Sequence, residues 1–279
     1  KLILNKFYYL IYCLMIVINN LKCSIGQKKY GVQFGGDYII DKFDNSKIRK
    51  INHFLFKNQS AYSQSYNQIL TELNNNNFCI NIGGDHSVGI STIQPVLDKY
   101  NDDVLIVWID AHGDINTPET SPSQNKHGMP VAALLNLMEN WIGGQTHHVL
   151  NPKNIVYVGI RDLDPGEVNF INQLGIKYFK HFNHQVLEFI DQHPAKHIHI
   201  SCDIDGIDPQ MMPSTGTKAS DGLIIDDVLK IIKQSKDRLI SFDLVEFNPL
   251  IGNQAEQEMT LNNILLILDY LVDSINCYH

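Results

Sequence analysis

The sequence predicts an α/β protein built on a mostly parallel sheet with helices on both faces, and three observations predict it. From residue 78 almost to the end, short apolar runs alternate with amphipathic stretches of helical period, the pattern of successive strand and helix units. The runs are continuous rather than alternating, as expected for strands buried on both faces. Each conspicuous polar cluster follows such a run at once. Right-handed crossovers then gather all of the clusters at the carboxyl edge of the sheet, where open parallel sheets bind ligands.

Taken in order, residues 14–18 read as a first buried strand. The competing reading is a secretory leader, because Lys1 and Lys6 precede the apolar run 7–18. That run is too short to span a bilayer and no small-residue cleavage site follows it, so the strand is preferred, with residues 1–13 a leader or an irregular extension. The chain begins at Lys rather than Met, so the expectation also leaves room for a start upstream. Residues 24–31 form a glycine-punctuated loop, residues 38–57 have mixed periodicity, and residues 61–73 read as a helix ended by four asparagines. Strands follow at 78–82, 104–109, 154–160, 176–179, 197–202 and 239–244. Helices follow at 88–100, 131–139, after Glu167, and at 185–192, 223–234 and 261–275. No repeat or linker divides the chain, so residues 1–279 are read as one domain.

Composition narrows the function. The 279 residues are 44% hydrophobic and 19% charged with a formal net charge of -8, which argues against nucleic acid or an anionic membrane as a partner. Five cysteines, Cys13, Cys23, Cys79, Cys202 and Cys277, show no paired spacing. They fit packing residues in a reducing, cytoplasmic compartment rather than a disulfide framework.

The chemistry lies in three clusters that follow strands: His86; then Asp110, His112 and Asp114; then Asp203 and Asp205. Singly, each is ordinary, since a lone histidine is more often a hydrogen-bonded core residue and aspartate is common in turns. Together at one sheet edge they make a metal-ligand set. Four converging carboxylates would otherwise repel, at about 4 kcal/mol per pair 4 Å apart at an effective dielectric of 20. Four carboxylates with neutral imidazoles balance two divalent ions. Oxygen donors with a minority of imidazole suit Mn(II), with Fe(II) or Co(II) as alternatives. Two such ions would share a water, lower its pKa and hold a hydroxide nucleophile, so the reaction class is metal-assisted hydrolysis.

These residues carry a resemblance. GGDHS at 83–87, DAHGD at 110–114 and SCDIDGIDP at 201–209 resemble the three signature motifs of the ureohydrolase family, the arginases and agmatinases. The likeness runs from about Gly26 to the end. It implies a three-layer α/β/α fold, a binuclear manganese centre, and cleavage of a guanidino group to release urea. The six residues would then be the ligands, with Asp114 and Asp205 bridging and Asp85 and Asp208 in support.

Substrate choice falls to the loops. SQNKHGMP at 123–130 sets Ser123, Asn125 and His127 at alternating positions and resembles the arginase form, which implies that these residues with Asn116 bind an α-carboxylate. His127 would protonate the departing amine. RDLDPGE at 161–167 is also arginase-like, implying that Asp164 and Glu167 surround the α-amino group, with a helix-capping turn as the plain reading. Glu246 matches the glutamate that pairs with the guanidinium.

TGTKASDG at 215–222 keeps Thr217, a substrate-side residue by the likeness, but carries Lys218, Ala219, Ser220 and Asp221 where the family has proline and apolar residues. This is a change expected to touch affinity or specificity. The segment around Phe34 departs as well. Asp226 stands where trimeric arginases carry an intersubunit arginine, so the trimer the family implies has weaker support. The expected activity is conversion of L-arginine to L-ornithine and urea. The rivals are agmatine, guanidinobutyrate or formiminoglutamate as substrate, or a catalytically silent binding protein.

Overall fold

The computed structural model describes residues 15–143 and 147–276; the expected leader at residues 1–13, Cys13 and Cys277 lie outside them. Eight strands are found there: β1 Ile16–Lys22, β2 Ile48–Leu55, β3 Phe78–Gly83, β4 Val104–Ile109, β5 Ile155–Val158, β6 Lys177–Phe179, β7 His197–Asp203 and β8 Leu239–Val245. They form one sheet in the order β2-β1-β3-β8-β7-β4-β5-β6, with every pairing parallel. The helices are α1 Gly35–Lys42, α2 Ser60–Asn74, α3 Gly89–Tyr100, α4 Pro130–Leu134, α5 Pro165–Leu174, α6 His184–Gln192, α7 Ile225–Ser235 and α8 Gln254–Asn276.

Two apolar cores flank the sheet, which makes the architecture three-layered. β4 shows why its apolar run is unbroken. Leu105, Val107 and Ile109 join the core beneath α1, α6, α7 and α8. Val104, Ile106 and Trp108 join the one beneath α2, α3, α4 and α5. Successive strand side chains point to opposite faces, so a strand covered on both must be apolar throughout.

Four elements differ from expectation; one is α8, which begins at Gln254 rather than the expected 261. β1 extends past residue 18 because its asparagines are hydrogen-bonded in the interior. A polar row crosses four strands: Asn52 Nδ2 donates to Asn19 Oδ1 (2.9 Å), Asn19 Nδ2 to Asn81 Oδ1 (2.8 Å), and Asn81 Nδ2 to Asp243 Oδ1 (2.7 Å). Buried polar groups paired in this way cost little, but they interrupt an apolar pattern. The mixed stretch 38–57 resolves into the end of α1 and the edge strand β2, which is half-exposed and carries Arg49, Lys50 and His53 where an inner strand would be apolar. α4 stops at Leu134, short of the expected 139, and Asn136 takes a left-handed φ of 57° that a helix cannot continue through.

β3, β8, β7 and β4 are neighbours at the centre of the sheet. The three predicted clusters and Glu246 follow these four strands, so topology alone brings them to one place. No helix among the described residues is long and apolar enough to cross a membrane.

Candidate metal centre and active site

His86 opens a short turn after β3, with Asp85 accepting from the Ser87 backbone N–H at 3.1 Å. The preceding Gly84 has no alternative, since a Cβ there would lie 1.8 Å from the Cys23 carbonyl oxygen. The His86 ring stacks on Trp108 at 4.1 Å between centroids, and its Nε2 lies 2.9 Å from Ser201 Oγ. An Nε2–H donated to Ser201 leaves the Nδ1 lone pair facing the carboxylates. Asp110 Oδ2 lies 3.0 Å from it, Asp114 Oδ2 3.1 Å and Asp203 Oδ2 3.4 Å. Nδ1 is buried and makes no hydrogen bond to any of them. A buried ring nitrogen facing three carboxylate oxygens, outside hydrogen-bond geometry, fits a cation site.

A second group adjoins the first. His112 Nδ1 lies 3.4 Å from Asp110 Oδ1 and 3.2 Å from Asp205 Oδ2. One oxygen of Asp110 therefore faces each histidine, and the two candidate groups, His86–Asp110–Asp114 and Asp110–His112–Asp205, share it. The likeness implies Asp114 and Asp205 as the bridging pair; these fall one in each group, and Asp110 is the residue the two groups have in common. The reason is positional. Asp110 leaves the central strand β4 and receives Trp108 Nε1–H on Oδ2 (3.0 Å) and the His112 backbone N–H on Oδ1 (2.7 Å), which splays its oxygens toward the two sides.

Asp203 ends β7 and accepts the Asp205 N–H (2.8 Å); Asp205 accepts from Ala111 N (3.2 Å) and Thr217 Oγ1 (2.7 Å). Gly206 lets this turn press on the neighbouring one, since a Cβ would fall 2.8 Å from Asp110 N. Asp114 holds a φ of 50° and Glu246 one of 69°, left-handed conformations that side chains adopt at a cost of order 1–3 kcal/mol, often at functional sites.

The electrostatics are those of crowded acids. Burial, with Asp205 and Asp110 nearby, pushes Asp203 well above the ordinary carboxylate range, and burial with Asp110 raises Asp114 to about 6. Burial also works on Asp110, but His112 and His86 outweigh it and hold that carboxyl low. Divalent cations would relieve this conflict. The nearby Cys202 thiol is pushed up by burial and offers no ready thiolate, so the donor set is oxygen and imidazole.

A cleft of about 170 Å³ opens over these groups. Asn116, Ser123, Asn125, His127, Asp164, Glu167 and Thr217, the residues expected on the substrate side, all line it with His112, Asp114 and Asp203. Lys218 is exposed and does not line it. Asp164 Oδ2 accepts from Asn116 Nδ2 (2.9 Å). Glu167 accepts the backbone N–H groups of Asp164 (3.0 Å) and Ile115 (3.3 Å), and burial beside Asp114 raises it to about 7. One carboxylate, Glu167, both caps this turn and lines the cleft. A larger cleft of about 570 Å³, around Tyr66, Asp98 and His147, sits by the residues that enter β3 and β4, at the other edge of the sheet from the carboxylates.

Glu246 is buried, and its oxygens meet protein donors. His86 N donates to Oε1 (2.9 Å), His127 Nδ1 lies 3.0 Å from the same oxygen, and Gln27 Nε2 donates to Oε2 (2.7 Å). Burial disfavours an imidazolium at His127, but the Glu246 contact prevails and raises its pKa to about 9. Gln27 was not singled out in the sequence, where it lies in a polar loop without a motif. Trp108 and Ser201 were also passed over, although each lies two residues before a candidate ligand on the same strand face, a signal that period-2 reading provides.

Comparison with known proteins places the chain in a family. The chain is 40% identical over 218 residues to an arginase of Entamoeba histolytica, spanning 73% of this chain and 71% of the relative. It is 32% identical over 280 residues to an arginase of Staphylococcus aureus, spanning 85% and 92%. The crystal structure of the Entamoeba histolytica arginase superposes with a TM-score of 0.84 at 34% identity, covering 93% of this chain and 98% of that one. A family model described as Arginase family matches residues 16–268, and the chain therefore belongs to the arginase family of ureohydrolases.

Proposed function

We propose that this ureohydrolase converts L-arginine to L-ornithine and urea with two Mn(II) ions per chain. The observation that carries the reading is the cleft: the polar residues suited to an amino-acid head group share it with the paired carboxylate–histidine groups. The similar Entamoeba histolytica arginase was crystallised in complex with L-ornithine, which supports an α-amino acid here. His86, Asp110, Asp114 and Asp203 would hold one ion, and Asp110, His112, Asp203 and Asp205 the other. Bound divalent ions supply charge neutralisation and water activation at such a centre.

The chain's own groups do the rest. Asn116, Ser123 and Asn125 orient the α-carboxylate, Asp164 and Glu167 the α-ammonium, and Thr217 steadies Asp205 at the cleft wall. His127, charged at neutral pH through Glu246, carries a proton to the departing amine. Glu246 Oε2, which already accepts the Gln27 amide, has a lone pair left to meet the guanidinium. A substrate panel on manganese-loaded protein tests the reading. L-Arginine should be turned over, and agmatine, which lacks the α-carboxylate, should lose at least about 10²-fold in kcat/KM because the polar groups meant for that carboxylate stay unpaired. Equal rates on both would overturn it.

A further inference from the structure

Arg161 follows β5 and lies outside the proposed ligand and substrate sets, yet each of its five guanidinium hydrogens has a backbone carbonyl to meet. Nε donates to Ser220 O (2.9 Å), Nη1 to Gly159 O (2.8 Å) and Gly206 O (3.1 Å), and Nη2 to Asp205 O (2.8 Å) and Ala219 O (2.7 Å). Its backbone joins the same knot, because the N–H groups of Arg161 and Asp162 both reach Ala111 O, at 2.8 and 3.0 Å. The turn carrying Asp110 and His112, the turn carrying Asp205, and the loop carrying Thr217 are thus tied at one residue. These are the segments that build the His112 group. The His86 group takes its support elsewhere, from Trp108 and Ser201.

From this we infer that Arg161 is a positioning residue for one half of the metal centre: its guanidinium fork sets the spacing of Asp205 from His112 and so the affinity of the second ion alone. The inference rests on the two-ion reading above. It also accounts for the divergent loop. Arg161 grips residues 219 and 220 by their carbonyls, which every residue type provides, while the side chains of Lys218, Ser220 and Asp221 are exposed. Five donors in a fixed plane cannot be replaced by one ammonium.

Mn(II) titration of metal-stripped protein, read by the electron paramagnetic signal of free ion and by calorimetry, tests it. Wild type should bind two ions. Arg161→Lys should keep the first within about twofold and bind the second about 10- to 100-fold more weakly, the usual effect of losing a group that orients ligands. Gly222→Ala, whose added methyl would fall 2.7 Å from Nη2 and 2.5 Å from the backbone nitrogen of Asp208, disturbs the knot through the backbone as well and should weaken the second ion at least as much with Arg161 in place. Two ions bound at wild-type affinity in both variants would overturn the assignment. So would equal weakening of both ions, the mark of a general structural role. Fewer than two ions on wild type would instead overturn the two-ion reading itself, and the assignment with it.

Discussion

The two histidines at the carboxyl edge are held in opposite ways. His86 is 1% exposed, stacked on an indole, and fixed by a serine of β7, two strands away in the sheet. His112 is 23% exposed, and its partner Asp205 is held by a threonine and by an arginine that ties loops through their carbonyls. One half of the centre is built from the strand core and the other from loops. A core-built site resists change because repacking it disturbs many neighbours, whereas a loop-built one adjusts through a few hydrogen bonds. Among the described residues, Asp110 is common to the two candidate groups.

The largest test of this contrast removes the shared group. Asp110→Asn should drop both ions and reduce urea release by more than about 10³-fold, the scale of removing a preorganised charge at a reacting centre; retention of two ions would deny it the bridging place. His127→Ala acts beyond both halves and should cost about 10²- to 10⁴-fold in kcat while metal content stays at two. The His127 pKa of about 9 lies above its ordinary 6.5, so the stability it contributes is full below 6.5 and is lost as pH rises through 9. Glu246→Gln removes the charge that favours the imidazolium and should move the His127 titration, followed by NMR, toward acid; an unmoved titration would mean that Glu246 does not set it.

Ser201→Ala removes the hydrogen-bond partner of the His86 ring in the core-built half. About tenfold weaker binding of the first ion is expected, with the second unchanged, the mirror image of the Arg161 variants. If Ser201→Ala weakened the second ion instead, the division into two halves would fail. Smallest of all is Lys218→Ala: with its side chain exposed and off the cleft, KM for L-arginine should change by less than about twofold, as for most surface substitutions. A tenfold change would return that loop to the specificity argument.

Legibility followed burial. β4 was readable to the residue because both faces are covered, and residues 104–109 had to be apolar. β2 was unreadable because an edge strand half in water keeps no such pattern. β1 was half readable, broken by asparagines whose partners, Asn81 and Asn52, lie far away in the chain. Among candidate site residues, those in short motifs after strands were legible. Gln27 and Arg161 were not, since what makes them matter is a carboxylate 219 positions away and carbonyls up to 59 positions away.

The order of the inner strands and the edge on which the chemistry collects were determined by the sequence itself, because strand period and strand-then-cluster order are local properties of the chain. Which carboxylate is shared, which histidine is buried, and what holds Asp205 and Glu246 in place were decided by the tertiary structure alone. Those depend on strands that neighbour each other in the order β3-β8-β7-β4, an order that no run of consecutive residues encodes.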